Sequence, residues 1–295
     1  MTDYAATGFE ANRGYLTRLA YRMLGSLSDA EDVVQDAWLR WSVTGPDSVA
    51  QPRAWLAKVV TRLCLDLMKS ARHRREAYVG GWLPEPLIEQ IGAAETSEDG
   101  LDVPYALMLA LERLSPLERA AFLLHDIFDR PFAEVAETLD RSEAACRQLV
   151  TRARRHVRED GQRHPLQPDE ARRYATAFFE AVHSTDPTAL KQLLVHDAIL
   201  HTDGGGKVTA TMNPIFGADK IGRFFAGLAR KAQQQGRTTT RYEPVLIGGL
   251  PGYISLEGGE TVQATAFDFR NGEIRAIYVI RNPDKLREAA LRLSG

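Results

Sequence analysis

The chain has 295 residues, too many for one compact helical domain, so two or three domains are expected. Its formal net charge is −2, with 37 Lys and Arg against 39 Asp and Glu; this balance neither predicts nor excludes nucleic-acid binding, because particular faces make the contacts. The sequence has no apolar run of about 20 residues to span a bilayer and no secretory signal, which predicts a cytoplasmic protein without membrane contact.

Three helices are predicted in the first domain, which we assign to 1–76. Apolar residues recur at helical spacing over 9–24, and Gly25 breaks the pattern. A second helix begins near Ser28 with acidic residues in its first turn, where the helix dipole favours them. A third helix covers 53–71.

The second helix has the pattern of a partner surface. An acidic edge borders large apolar residues, among them Trp38 and Trp41. We expect that one small bundle cannot hide both tryptophans, and Trp is favoured at interface hot spots. The alternative is a core helix with a solvated acidic face.

The third helix carries basic residues with an interleaved aromatic, a combination that suits unstacked single-stranded DNA. The alternative is that the cations near its end only complement the helix dipole. The candidate DNA-binding residues are Trp55, Lys58, Arg62, Lys69, Arg72, Arg74 and Arg75.

Residues 77–102 have the composition of a linker, with glycines, prolines and acids in place of helical periodicity. Within them, Trp82-Leu83-Pro84-Glu85-Pro86 is unusually apolar. An unstructured spacer has no need of a tryptophan and a leucine, so we expect this stretch to dock onto another surface.

Helical periodicity returns over 103–163 and ends in the pattern of a helix-turn-helix. Residues 132–139 form a short apolar stripe, Asp140-Arg141 begins a turn, and Ser142 is a good N-cap for the next helix. Arginine and glutamine near the start of such a helix can read base edges, and arginines farther along can hold phosphates. A solvated basic helix is the alternative. The candidate DNA-binding residues are Ser142, Glu143, Arg147, Gln148, Thr151, Arg154 and Arg155.

Beyond Asp169 the pattern changes to that of an α+β domain, which we assign to 168–287. Two helical stretches, 169–184 and 218–233, alternate with runs rich in β-branched and aromatic residues. Asn271-Gly272 predicts a hairpin turn. The strand candidates are 198–202, 207–211, 239–247, 252–256, 260–270 and 273–281.

In order and spacing, three segments resemble the extracytoplasmic-function sigma factors over about 9–157. The segment 30–38 is similar to the region-two helix that binds core RNA polymerase, and 52–75 to the segment that opens and reads the −10 promoter element. Residues 114–119 and the helix-turn-helix are similar to region four, which reads the −35 element. The resemblance implies a factor that binds core polymerase and promoter DNA and directs initiation. The implied polymerase-binding residues are Asp29, Asp32, Gln35, Asp36, Trp38 and Leu39.

Three further motifs resemble the group of these sigma factors with a fused SnoaL-like (NTF2-like) C-terminal domain. They are the apolar linker stretch, 203–207 and 282–286. In that group the extra domain is understood to tune sigma activity in place of an anti-sigma protein. The fold class implied is multidomain, with two all-α sigma domains followed by an α+β cone. The candidate regulatory residues are Trp82, Pro84, Pro86, Asp203, Lys207, Asn282, Asp284 and Lys285.

The glycine turn at 203–207 is not a phosphate-binding loop, because its flanking residues do not match GxxxxGK[ST]. We expect a tight turn between strands, with its two charged ends pairing with region two or with the linker.

Cofactors and metals are not expected. Cys64 and Cys146 lack the spacing of a metal site or a disulfide framework. An NTF2-like cone can hold an acid–base pair, but no such spacing stands out, so catalysis is not predicted. The conceivable members of such a pair are His183, His201, Asp203 and Asp268.

Two other functions remain open. One is a helix-turn-helix regulator whose C-terminal domain senses a ligand and which never contacts polymerase. The other is an NTF2-type enzyme with a DNA-binding passenger. A small apolar ligand inside the cone is compatible with the sigma-factor interpretation as well.

Overall fold

A computed structural model describes residues 2–44, 49–76, 80–92, 104–158, 167–236 and 239–294. The chain divides into two compact units. The first comprises Met1–Glu76, Thr96–Val103 and Leu107–Gly161, and the second comprises Ala77–Glu95, Pro104–Ala106 and Gln162–Gly295. Helices from both predicted all-α segments therefore share the first unit, whereas the predicted linker contributes mainly to the second.

Three long helices open the chain. They are α1 (Thr2–Leu24), α2 (Leu27–Thr44) and α3 (Pro52–Glu76). They pack around a core in which Phe9, Leu16, Trp41, Leu56 and Val60 are each 0% exposed. Gly25 ends α1 as predicted, with a φ of 72° and an amide that donates to the Tyr21 carbonyl at 2.7 Å.

Shorter helices follow and include the predicted helix-turn-helix. They are α4 (Tyr105–Leu111), α5 (Pro116–Phe122), a π-helical segment (Leu123–Ile127), α6 (Phe132–Leu139) and α7 (Glu143–Arg158). A capping box starts α5: the Glu118 amide donates to Ser115 Oγ, and the Ser115 amide donates to Glu118 Oε2 at 3.1 Å. Burial acts to raise the pKa of Glu118, but these hydrogen bonds and the cation of Arg152 hold that pKa below its usual range.

The second unit combines helices with a mixed sheet. Its helices are α8 (Pro168–His183), α9 (Pro187–Lys191), α10 (Ala218–Gln234), α11 (Arg287–Ser294) and a short 3-10 helix (Pro283–Lys285). Its strands are β1 (Ile88–Gln90), β2 (Leu194–Asp203), β3 (Ile215–Phe216), β4 (Thr239–Ile247), β5 (Leu250–Glu257), β6 (Thr261–Arg270) and β7 (Glu273–Ile280).

Within the described ranges these strands form one sheet in the order β1-β4-β5-β6-β7-β2-β3. The β2–β7 pair is parallel and the other neighbours are antiparallel. Asn271 (φ 54°) and Gly272 (φ 83°) form the predicted hairpin between β6 and β7. The predicted fold class agrees with this architecture, because helical segments precede a domain built on a mixed sheet.

Residues 207–211, a strand candidate, do not form a strand. The Lys207 amide returns to the Gly204 carbonyl at 3.0 Å, and the Thr211 amide donates to the Thr202 hydroxyl at 2.8 Å. A turn and a side chain thus take the amides that a sheet ladder needs, and the strand prediction was wrong here.

Aromatic rings fill the interior of the second unit, where α8 and α10 cover the sheet. Phe178 and Phe267 are fully buried with ring centroids 4.4 Å apart, and Tyr253 is 1% exposed. Burial raises the pKa of the Tyr253 phenol well above its usual range. Across the described part of the chain, no helix is long and apolar enough to cross a membrane.

Candidate nucleic-acid and polymerase interfaces

The helix α7 has the two faces that the sequence predicts. The Ser142 hydroxyl accepts the Ala145 amide at 3.2 Å, so Ser142 caps the helix start. One face is buried, with Cys146 and Val150 against the neighbouring helices. The opposite face is exposed over its length and carries Ser142, Glu143, Arg147, Gln148, Thr151, Arg154 and Arg155.

Ion pairs orient several of these side chains. Arg147 pairs with Glu143 at 2.7 Å. The guanidinium of Arg154 forms a fork on Asp126, with donor–acceptor distances of 2.7 and 2.8 Å. Arg155 is exposed on the same face and takes part in neither of these ion pairs.

The basic face of α3 borders a groove of about 700 Å³. Trp55 forms part of its wall and packs on Trp41 with ring centroids 5.6 Å apart. The lining residues are Leu39, Arg40, Val43, Thr44, Trp55, Lys58, Val59 and Arg62. An aromatic wall beside several cations can accommodate a base and its phosphate.

Two candidate cations on α3 contact α6. Lys58 Nζ lies 2.8 Å from Glu137 Oε1, and Arg62 Nε donates to the Thr138 carbonyl at 3.3 Å. Lys69 is exposed and pairs with a neighbour on its own helix. The side chains of Arg72, Arg74 and Arg75 lie outside the described part of the structure.

The partner surface on α2 is only partly as predicted. Asp32, Gln35 and Asp36 are exposed, Leu39 is 54% exposed and Asp29 is half-buried. These side chains form an open acidic and apolar face.

The two tryptophans are buried to different extents, in line with the expectation that the bundle does not hide both. Trp41 is fully buried between the helices, and Trp38 is half-buried with its ring edge-on to Phe9 at 5.1 Å. Because α1 and α3 both pack against α2, the bundle hides the Trp41 indole completely and leaves the Trp38 indole partly exposed.

The described middle of the predicted linker, residues 80–92, packs onto the sheet; we call it the linker strap. Its segment β1 pairs antiparallel with β4, joining Ile88 to Ile247. Residues 83–88 are all buried, including Pro84 and Pro86. The Pro84 carbonyl accepts a hydrogen bond from the Tyr105 hydroxyl at 3.0 Å.

A buried ion pair anchors the linker strap. Lys285 Nζ lies 2.7 Å from Asp203 Oδ2, and the two side chains are 8% and 0% exposed. The Leu83 amide donates to the same carboxylate oxygen at 3.0 Å, and Lys285 donates to the Leu83 carbonyl. The Lys285 ammonium also lies 4.0 Å from the centroid of the Trp82 ring.

Other residues of the 203–207 and 282–286 motifs pack beside the Asp203–Lys285 pair. Lys207 pairs with Asp284 at 2.7 Å on the surface of the same unit. The Asn282 side chain accepts the Asp284 amide and lies so close over Gly205 that an added Cβ there would be 2.4 Å from it. Of the two charged ends of the glycine turn, Asp203 therefore contacts the linker strap and Lys207 contacts the 282–286 motif.

The chain matches two family models, sigma-70 region 2 over residues 9–74 and sigma-70 region 4 over residues 105–157. It is 40% identical over 307 aligned residues to the ECF RNA polymerase sigma factor SigJ of Mycobacterium tuberculosis, and the alignment covers 96% of this chain and 94% of that protein. The chain belongs to the extracytoplasmic-function sigma factors. It is accordingly an alternative sigma factor.

Other relatives also align with this sigma factor over nearly the full length of both chains. The probable ECF RNA polymerase sigma factor SigI of Mycobacterium tuberculosis is 30% identical over 297 residues, covering 99% of this chain and 98% of that one. The crystal structure of Mycobacterium tuberculosis SigJ superposes with a TM-score of 0.73 at 35% identity, covering 95% and 98% of the two chains. The similarity thus includes the C-terminal unit.

The residues considered for catalysis in this sigma factor each contact a different partner. His183 Nε2 bonds to Thr239 Oγ1 at 2.6 Å, and His201 stacks on a tyrosine ring of β7. Asp268 is 1% exposed and pairs with Arg275 at 2.7 Å. Within the described residues no three His, Cys, Asp or Glu side chains form a group that could hold a metal ion.

Sequence reasoning missed Glu137 and Arg119. Arg119 is 1% exposed and donates to the carbonyls of Leu111 and Met23 at 2.9 and 2.8 Å. Both residues contact partners far away in sequence, which no local pattern reveals.

Proposed function

We propose that this sigma factor binds core RNA polymerase through the exposed face of α2, melts and reads the −10 element with α3, and reads the −35 element with α7. We also propose that its C-terminal unit tunes this activity in cis, and that it acts in the cytoplasm and performs no covalent chemistry. The observation that carries the proposal is the capped helix α7, with one face buried and the other open and polar. That face has the form a recognition helix needs in the major groove.

The first turns of α7 contact the bases of the −35 element. Arg147, Gln148 and Thr151 project from the exposed face near the helix start. Arginine can bind guanine and glutamine can bind adenine through paired hydrogen bonds, so these positions specify sequence. Arg155 and Arg154 lie one turn farther on and contact phosphates, with Arg154 first leaving its fork on Asp126.

The α2 surface supplies the polymerase contact. Asp32, Gln35, Asp36 and Leu39 combine exposed acids with an exposed leucine, and a ligand-sensing regulator that never contacts polymerase has no use for such a face. Trp38 lies on the same helix, where its ring packs edge-on against Phe9 of α1.

Control in cis acts through the linker strap. In sequence, the strap lies between the region-two and region-four segments, and its middle is fixed to the C-terminal unit by Asp203 and Lys285. Fixing the strap shortens the free tether between the two promoter-binding segments. A small apolar ligand inside the cone would lie against the buried rings of Phe178, Tyr253 and Phe267.

Run-off transcription with core polymerase tests base readout, on templates selected from the source genome. We expect Gln148→Ala to lower initiation by about 10-fold or more on the preferred −35 sequence, since a bidentate base contact provides roughly 1–3 kcal/mol of discrimination. Initiation should fall less on templates altered at the base pair that Gln148 reads. Arg155→Ala should instead lower initiation from all templates by the same factor.

The control variant is Glu260→Gln, which changes an exposed side chain in the turn between β5 and β6 of the second unit. Equal loss on every template with Gln148→Ala would assign that residue to backbone binding and would remove the base-readout role.

A further inference from the structure

Two cations that we assign to −10 binding already contact hydrogen-bond acceptors of the same chain. Lys58 Nζ is 2.8 Å from Glu137 Oε1, and Arg62 Nε donates to the Thr138 carbonyl at 3.3 Å. Glu137 and Thr138 are the last-turn residues of α6, the first helix of the helix-turn-helix. One part of the DNA-binding apparatus therefore covers another.

The contact has the chemistry of a phosphate contact. A carboxylate oxygen and a carbonyl oxygen accept hydrogen bonds from Lys58 and Arg62, as the oxygens of a DNA backbone do. Both cations also line the groove beside Trp55. An incoming strand must compete with α6 for the same donors.

The packing beneath this contact is buried. The guanidinium of Arg119 on α5 donates to the Met23 carbonyl near the end of α1 and to the Leu111 carbonyl. This buried arginine joins α5 to α1, and α5 also packs against both α3 and α6. The contact between α6 and α3 therefore belongs to a packed group of helices.

We infer that the end of α6 is an internal mimic of the −10 strand: Glu137 and Thr138 occupy Lys58 and Arg62 and so compete with DNA for these two cations. The exposed face of α7 is open in the same state, so −35 contacts form first and −10 contacts require release. This inference rests on the proposed assignment of α3 to DNA.

The test measures the affinity of the full-length protein, without polymerase, for a labelled single-stranded DNA of about 20 nucleotides, by fluorescence anisotropy at low salt. Glu137→Gln keeps the shape of the side chain and removes its charge. It should tighten binding roughly two- to fivefold, the range that an exposed ion pair supports.

Two controls isolate the mechanism. Glu10→Gln removes the same charge from an exposed glutamate paired with Arg13 on α1, and it should leave the affinity at the wild-type value. The double variant Lys58→Ala, Glu137→Gln should lack the gain, because the released cation is gone. Equal affinity of Glu137→Gln and wild type, or a gain that persists in the double variant, would overturn the inference.

Amine labelling gives an independent readout on the same proteins. Lys58 should react faster with an amine-selective reagent in Glu137→Gln than in the wild type, while the rate at exposed Lys69 stays constant. An unchanged rate at Lys58 would also overturn the inference. A failed sigma function would appear differently, as no initiation with core polymerase from any version.

Discussion

At the scale of single residues, hydrogen-bond partners fix a protonation state in the C-terminal unit. His183 Nδ1 is 2.7 Å from the Phe179 carbonyl, and its Nε2 is 2.6 Å from Thr239 Oγ1. The Thr239 hydroxyl donates its proton to Glu257 at 2.7 Å. Both ring nitrogens therefore face acceptors, which is the arrangement of an imidazolium.

We predict that His183 titrates above its ordinary pKa of 6.5. Burial lowers the pKa of His183, but the carboxylate of Glu257, whose Oε2 lies 3.8 Å from Nε2, and the bond to the Phe179 carbonyl outweigh it. The pKa of Glu257 is in turn held below 4.5 despite its own burial. A raised histidine pKa adds stability that is complete below the unfolded pKa and is lost as pH rises through the folded pKa. A lowered carboxyl pKa adds stability that is complete above the pKa of the unfolded chain and is lost as pH falls through the pKa of the folded protein. The pair of His183 and Glu257 therefore stabilises the fold most between about pH 4.5 and 6.5.

Titration of the His183 ring by NMR checks this prediction, with the signal assigned by its absence in His183→Gln. Glu257→Gln should lower the pKa of His183. A His183 pKa at or below 6.5 in the wild type would refute the assignment of the ion pair.

At the scale of elements, the linker strap shows what sequence reasoning can and cannot reach. The apolar stretch around Trp82 predicts that the strap docks, because its composition does not suit a solvated spacer. The pairing of β1 with β4 was not predictable, since a three-residue strand has no periodicity of its own and its partner is distant in the chain. The helix α7 was predicted well because its cap, turn and two faces are all local.

We predict that the buried pair Asp203–Lys285 controls opening of the strap. Asp203→Asn leaves the Lys285 ammonium buried without its carboxylate, which costs about 3–5 kcal/mol. Amide exchange in the 80–92 segment, followed by mass spectrometry, should accelerate on the order of 100-fold or more. The double variant Asp203→Asn, Lys285→Met removes both charges and should be closer to the wild type.

The surface pair Lys207–Asp284 is the matched control, since its side chains are 56% and 59% exposed. Its removal should change strap exchange by no more than the effect of about 1 kcal/mol expected for an exposed pair. If Asp203→Asn accelerated exchange no more than this control, the buried pair would not anchor the strap.

At the scale of the whole molecule, the region-two and region-four segments of an alternative sigma factor are combined in one chain with an α+β unit that has an aromatic core. The order of the region-two and region-four segments along the chain and the α+β class of the last unit could be predicted from sequence. Which surfaces are engaged within the free protein could not, because Lys58 meets Glu137, and Arg62 meets Thr138, only through tertiary packing. The same limit applied to Trp41, whose burial depends on helices from two other segments.

The central claim is that initiation depends on the α2 face binding core polymerase. The most direct measurement is run-off transcription with core polymerase and the full-length protein. It compares the wild type with Asp36→Lys, which reverses one exposed charge on that face, and with Glu260→Lys, which reverses an exposed charge in the turn between β5 and β6 of the second unit. We predict promoter-dependent transcripts from the wild type and from Glu260→Lys, and a loss of about 10-fold or more with Asp36→Lys, because reversing a charge at a complementary interface costs several kcal/mol. Equal transcription from all three proteins would contradict the assignment of α2, and no transcription from any of them on promoters of the source genome would contradict the account as a whole.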